Sequence, residues 1–251
     1  MKQYEVVIKV MEKNGGYATL GYLYENVLKF LEESKIKWKT KTPFATIRRI
    51  VQDKRFFFRV KPGLWALISY KDNLPYEILA LLEGKETPKE DSIHSFYQGL
   101  LVQIGEIKGF KTYIPPQDKN KKFNGRTLGE FASLKEILNF TYHKIIRRVK
   151  TIDVIWFNER GFPSSAFEID HTSDFKNSLL KFLELQDFNA RFYIVSPKER
   201  YKEFKSRIEA SAFKPINSRI KFLTYDQVSR WHSKVYELML IEKQITTNAE
   251  R

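Results

Sequence analysis

The sequence predicts two domains: three helices and a β-hairpin over residues 1–70, and an α/β body with a mixed central sheet flanked by helices over residues 93–251. Three observations carry this. Apolar residues recur at helical spacing before residue 50, strand-like apolar runs alternate with helix-like ones beyond Ile93, and the stretch between turns polar and acidic. Residues 1–70 carry net charge +8, residues 71–92 carry −3 and the remainder +9, so two basic bodies flank an acidic linker at 71–92.

In the first body, Val6, Val7, Val10 and Met11 mark a helix over Tyr4–Lys13 that stops at Asn14-Gly15-Gly16. Leu23, Val27, Leu28, Phe30 and Leu31 mark a second over Leu20–Glu33. Pro43 sits in the first turn of a third, with Thr42 as its cap. Phe56–Val60 and Leu64–Ile68 are short β runs around the Lys61-Pro62-Gly63 turn. Three helices followed by a hairpin is a winged helix-turn-helix plan. Pro75–Leu82 reads as a short helix, and GKETPKED as a polar, flexible boundary near residues 84–92.

In the second body the order is helix (His94–Gly109), strand (Lys111–Ile114), a basic loop (PPQDKNKKFNGR) and a helical stretch (Ser133–Arg148). A strand pair, IDVIWF and SAFEI, follows. Then come a helix (Asp174–Leu185), a strand (Arg191–Val195), a helix (Glu199–Ala212) and a last strand (Arg219–Thr224).

Composition narrows the function class. At 42% hydrophobic and 15% aromatic, the 251 residues can bury a core. No apolar run is long enough for a membrane span. The absence of cysteine removes disulfides and thiolate zinc sites and fits a reducing interior, so a cytoplasmic protein is expected. A net charge of +14 suggests a polyanionic partner, with nucleic acid foremost.

The strand pair carries acids where apolar residues belong. A buried lone carboxylate is costly unless it is paired or holds a metal. Glu168 and Asp170, two apart on one strand, share a face, and Phe167, Ile169 and His171 take the other. Pairing across the turn brings Asp153 to the same end, so three carboxylates are expected to converge, an oxygen set suited to Mg2+. Glu106, on the preceding helix, is a fourth candidate. The histidines His94, His143 and His232 show no metal-ligand spacing, and His171 is expected to pack or hydrogen-bond.

The order Glu106, Asp153, then E-x-D at Glu168 and Asp170 resembles the PD-(D/E)XK nuclease core. More specifically, IDVIWF, AFEIDHTSD, SLLKFLEL and ARFYIVSPKER resemble a bacterial restriction-endonuclease-like group over about residues 96–225. The resemblance implies Mg2+-dependent cleavage of DNA, with Mn2+ able to substitute and with Asp153 and Glu168 as metal ligands, to which the strand spacing adds Asp170. It departs at Asp170, where the superfamily usually has lysine. Either a second metal or a basic residue of the next helix, Lys176 or Lys181, is the expected substitute, and Lys181 joins the catalytic candidates. Cutting both strands calls for two active sites, so a homodimer is expected.

WKTKTPFATIRRIVQD and FFFRVKPGLWAL resemble the HARE-HTH winged helix over about residues 3–68. That resemblance implies binding of double-stranded DNA, with modified bases within the family's range. In a winged helix the third helix enters the major groove. Thr42, Thr46, Arg48 and Arg49 are then expected near bases, and Lys37, Lys39, Lys41, Arg59 and Lys61 on phosphates. Lys119 and Lys122 of the basic loop complete the expected DNA contacts.

Overall fold

The computed structural model describes residues 1–82 and 88–249, so much of the expected GKETPKED boundary lies outside the described residues. It divides into two compact units, Met1–Lys89 with Ser229–Arg251, and Glu90–Val228.

The first unit opens with α1 (Gln3–Lys13), β1 (Tyr17–Thr19), α2 (Leu20–Ser34), α3 (Pro43–Ile50), β2 (Phe57–Lys61), β3 (Leu64–Leu67) and α4 (Tyr76–Leu82). The expected helices and hairpin are present, and β1 adds a strand that the sequence reading lacked. It pairs antiparallel with β3, giving the order β1-β3-β2. α1 stops because Gly15 and Gly16 take positive φ and the Gly16 N–H closes back on the Met11 carbonyl at 2.8 Å. A Cβ on Gly16 would lie 2.3 Å from the Tyr70 ring, so no other residue fits that turn. Thr42 stands at the N-cap of α3 as expected, but its side chain caps nothing and Pro43 alone starts the helix.

The second unit contains α5 (Pro88–Ile107), β4 (Lys111–Tyr113), β5 (Lys122–Phe123), β6 (Arg126–Thr127), α6 (Leu128–Phe131), α7 (His143–Val149), β7 (Val154–Phe157), β8 (Pro163–Ile169), α8 (Phe175–Leu183), β9 (Arg191–Ser196), α9 (Tyr201–Ile208) and β10 (Ile220–Thr224). Its sheet runs β10-β9-β8-β7-β4, antiparallel at β4/β7 and β7/β8 and parallel at β8/β9 and β9/β10. This is the expected mixed sheet with flanking helices. Its core gathers Ile155, Phe157, Ala166, Phe175, Leu179, Phe192 and Ile194.

Three expectations are corrected here. Helix was expected over Ser133–Arg148, yet only His143–Val149 is helical. The Ser133 and Leu134 amides bond instead to Glu106 Oε1 and the Thr112 carbonyl, so tertiary partners outbid the helical ladder. The basic loop holds the β5–β6 hairpin, turned by Asn124 and Gly125, both at positive φ. Last, α10 (Tyr225–Ala249) was not foreseen, and residues 229–251 group with the first unit rather than the second.

The reason is packing. Leu240, Tyr236 and Met239 join the core of Val7, Leu23, Tyr24, Val27 and Ile47. The Ser229 hydroxyl donates to the Pro62 carbonyl at 2.6 Å, and a Cβ on Gly63 would meet Ser229 at 2.7 Å. The hairpin turn and α10 therefore fit only with glycine at 63.

Candidate active site

The register of β7 and β8 builds the site. Val154 stands opposite Phe167, so Asp153 and Glu168 flank the last paired position. The Asp153 amide donates to Glu168 Oε1 at 3.3 Å, and the Ile169 amide donates to Asp153 Oδ2 at 2.7 Å. From α8, Lys181 reaches over to Glu168, its Nζ at 2.9 Å from Oε1 and 2.7 Å from Oε2. The same ammonium donates to the Thr151 carbonyl at 2.9 Å. The Ser178 hydroxyl, one turn earlier on α8, donates to Glu168 Oε2 at 3.1 Å. Glu168 is only 3% exposed, so its charge is settled by these few neighbours.

The electrostatics follow from two acids this close. Burial, and then the charge of Asp153, push the Glu168 carboxyl up to about 8 even with Lys181 beside it. Asp153 moves the other way. Burial opposes its ionisation, but His94, Lys181 and the Ile169 amide outweigh burial and hold it below the usual carboxylate range. Burial keeps Asp170 above its ordinary value despite the Ser173 hydroxyl, which donates to Oδ1 at 2.6 Å. Burial opposes the charge on Lys181, but Glu168 and Asp153 more than offset it and raise its pKa.

Among the described residues, no three His, Asp or Glu side chains stand together as a metal cage. The convergence of three acids expected from the sequence is therefore corrected to a pair, Asp153 and Glu168. Asp170 is turned to Ser173, and its Oδ2 is buried with no hydrogen-bond partner. Asp153 and Glu168 form an all-oxygen donor pair. That set fits Mg2+, which keeps much of its water shell and takes one or two carboxylates.

The other candidates separate. Lys181, not the exposed Lys176, stands at Glu168. Glu106 is not with the acids. Its Oε1 accepts from the Thr112 amide (3.2 Å), the Thr112 hydroxyl (2.5 Å) and the Ser133 amide (3.1 Å), and Thr112 pairs with Trp156, away from Asp153. His171 bonds through Nδ1 to the Tyr225 hydroxyl at 3.0 Å. Lys119 is tied to the Lys135 carbonyl, and Lys122 is exposed.

In the first unit, Lys39, Lys41, Thr42, Arg49 and Arg59 are exposed and Lys61 is half-buried. Two expected base contacts are otherwise engaged. Thr46 is buried, bonded to the Thr40 hydroxyl (2.7 Å) and the Thr42 carbonyl (3.1 Å). Arg48 is spent on the Tyr24 hydroxyl (3.0 Å) and Glu237 (2.9 Å). Thr46 and Arg48, two apart and so on different faces of α3, each find a partner on their own face, while Arg49 is exposed.

Two residues at the site were missed. His94 Nε2 lies 3.0 Å from Asp153 Oδ2, and Gln98 Nε2 donates to the Asp153 carbonyl (2.7 Å) and to Asp118 Oδ2 (3.1 Å). Their i, i+4 spacing on α5 was the available signal, since it puts two polar side chains on one face of an otherwise buried helix.

Residues 78–248 match the family model described as the C-terminal domain of the type II restriction enzyme NmeDI. The type II restriction enzyme NmeDI of Neisseria meningitidis serogroup C is 24% identical over 194 residues, which cover 71% of this chain and 52% of that protein. The chain thus spans about half the length of that curated relative, and no solved structure matches it. With well over half of its residues inside the match, the chain belongs to the family of the NmeDI C-terminal domain.

Proposed function

We propose that this protein is a restriction-type, Mg2+-dependent DNA endonuclease that hydrolyses phosphodiester bonds in duplex DNA. The observation that carries the reading is Lys181, delivered from α8 onto Glu168 beside Asp153. It supplies from another element the cation that the PD-(D/E)XK pattern keeps two residues after the glutamate. Family membership and a net charge of +14 agree with it.

Asp153 and Glu168 would hold the cation. When bound, Mg2+ (or Mn2+) lowers the pKa of a water and offsets charge developing on phosphorus. The protein's own part is positioning. Lys181 stays an ammonium, since its pKa lies above that of a free lysine, so it donates hydrogen bonds rather than accepting a proton. Thr151 and Glu168 fix its direction. If the two carboxylate oxygens share one N–H, a third N–H is left for the attacking water or a phosphate oxygen. His94 and Gln98 hold Asp153 from α5, His94 on the side chain and Gln98 on the carbonyl.

The first unit is proposed as a HARE-HTH-like winged helix that grips the duplex. Lys39, Lys41, Thr42 and Arg49 at α3, with Arg59 and Lys61 on the hairpin, are its contact set. A homodimer would present the two sites needed to cut both strands. The test is incubation with varied DNA, modified DNA included, with Mg2+ and with chelator. Cleavage should require Mg2+ and vanish in Asp153→Ala and Glu168→Ala; uncut DNA throughout, or unimpaired variants, would sink the reading.

Two observations favour a second reading. Lys181 already neutralises Glu168, and no three-acid cage is present among the described residues. Both fit a non-catalytic DNA-binding protein on a degenerate nuclease core. Calorimetry separates the two, since this reading requires DNA affinity without Mg2+ binding.

A further inference from the structure

α7 buries Ile146 and Val149 and turns Lys144, Arg147 and Arg148 to solvent. Spacing of i, i+3 and i+4 places the three cations on one side of the helix. No acid lies on α7, and among the described residues none of the three makes an ion pair. Some other cations of the second unit are paired at close range: Lys121 with Asp91 and Asp118, Arg200 with Glu203. The carbonyl end of α7 favours Arg147 and Arg148, but that effect is limited to a few tenths to about 1 kcal/mol and does not reach Lys144.

The three side chains line one wall of a cleft of about 450 Å3 whose other wall is α8, with Asn177, Lys181 and the single acid Glu184. Arg148 Nη2 stands 3.5 Å from Asn177 Oδ1. Thr151, at the end of the cleft, holds Lys181 through its carbonyl, and Lys181 in turn holds Glu168. The cleft therefore includes Lys181, whose ammonium holds Glu168. A lining with four cations against one acid favours an anion with repeated charges.

We propose that the α7–α8 cleft seats the backbone phosphates adjoining the scissile one, with Lys144, Arg147 and Arg148 neutralising them and Asn177 holding Arg148 in place. This rests on the nuclease reading above, and adds where the cut strand lies. It requires the strand to run along α7 rather than across the far edge of the sheet at β10.

The experiment is fluorescence anisotropy of a labelled duplex with the full chain in chelator, between about 50 and 200 mM salt. Each phosphate contact contributes about 0.9 to the slope of log K against log salt. Arg147→Ala/Arg148→Ala should flatten the slope by about 1.8 and weaken binding at 0.1 M salt on the order of 50-fold. Arg147→Lys/Arg148→Lys, which keeps the charge, should hold the parental slope. Lys205→Ala/Lys214→Ala, removing two exposed lysines of the same unit, should leave it unchanged. Thermal melts check that all variants fold. Binding by the parent with an unaltered slope in the double-alanine variant overturns the cleft while leaving the nuclease reading intact. An equal loss in the lysine control also overturns it, by showing that general charge is responsible. A parent that binds no DNA removes both.

Discussion

Glu106, on α5, and Glu168, on β8 of the sheet, are both acids set in apolar sequence, and they are treated in opposite ways. Glu106 is satisfied by neutral donors, two amides and a hydroxyl, and ties α5 to β4 and to the irregular segment after α6. Glu168 is set beside another acid and given a buried lysine. The first arrangement spends a charge to close a loop. The second concentrates charge, and its carboxyl is pushed to about 8 by burial and by Asp153. Acids embedded in apolar sequence thus fall into two kinds, distinguished by whether their partners are backbone donors or other charges.

The sharpest way to break that contrast is Glu168→Gln. It keeps the shape and should cost cleavage on the order of 1000-fold, as several kcal/mol of transition-state stabilisation are lost; steady-state rates check this. Next comes stability. Lys181→Met alone leaves Glu168 and Asp153 facing one another and should destabilise the second unit by about 3 kcal/mol. Adding Glu168→Gln should recover most of that loss, and denaturant titrations of the two variants would show it. Glu106→Gln should be milder, about 1–2 kcal/mol, from one acceptor oxygen made a poorer partner for three donors. It should leave the rate per folded molecule unchanged; a 1000-fold loss there would place Glu106 back with the acids.

The smallest effect belongs to the first unit and separates it from the second. His232 is 2% exposed, and burial pulls its pKa down to about 3. The unfolded chain binds a proton near pH 6.5 while the folded one refuses it. Stability is therefore full above pH 6.5 and falls as pH drops from there towards 3, by at most about 1.4 kcal/mol per pH unit. Between pH 7.5 and 5.5, His232→Gln should flatten the acid limb of the first unit's unfolding curve.

What could be read from the sequence was whatever is local. The stop at Asn14-Gly15-Gly16 and the turn at Lys61-Pro62-Gly63 each depend on a few neighbouring residues, and each stands where expected. The Asn124-Gly125 hairpin was equally local and was passed over as a basic loop. Lys181, 13 residues from Glu168, could be named only as one of two lysines, because which one reaches depends on how α8 crosses β8. His94 and Gln98 lie 50 or more residues from Asp153 in sequence, and nothing near them announces a partner. Thr46 and Arg48 show the same limit. A short helix with polar residues on two faces does not declare which face is buried.

The bond from Ser229 to the Pro62 carbonyl spans 167 positions of chain. On a ribosome adding roughly 5–20 residues per second, the hairpin would wait on the order of ten seconds or more for that partner. Over that interval Arg48 has no Glu237 to meet, and the Gly21 surface of α2 lies uncovered where His232 and Tyr236 will pack. The first unit to be made is thus the last to be finished, and the whole of the carboxylate-bearing unit is synthesised in between.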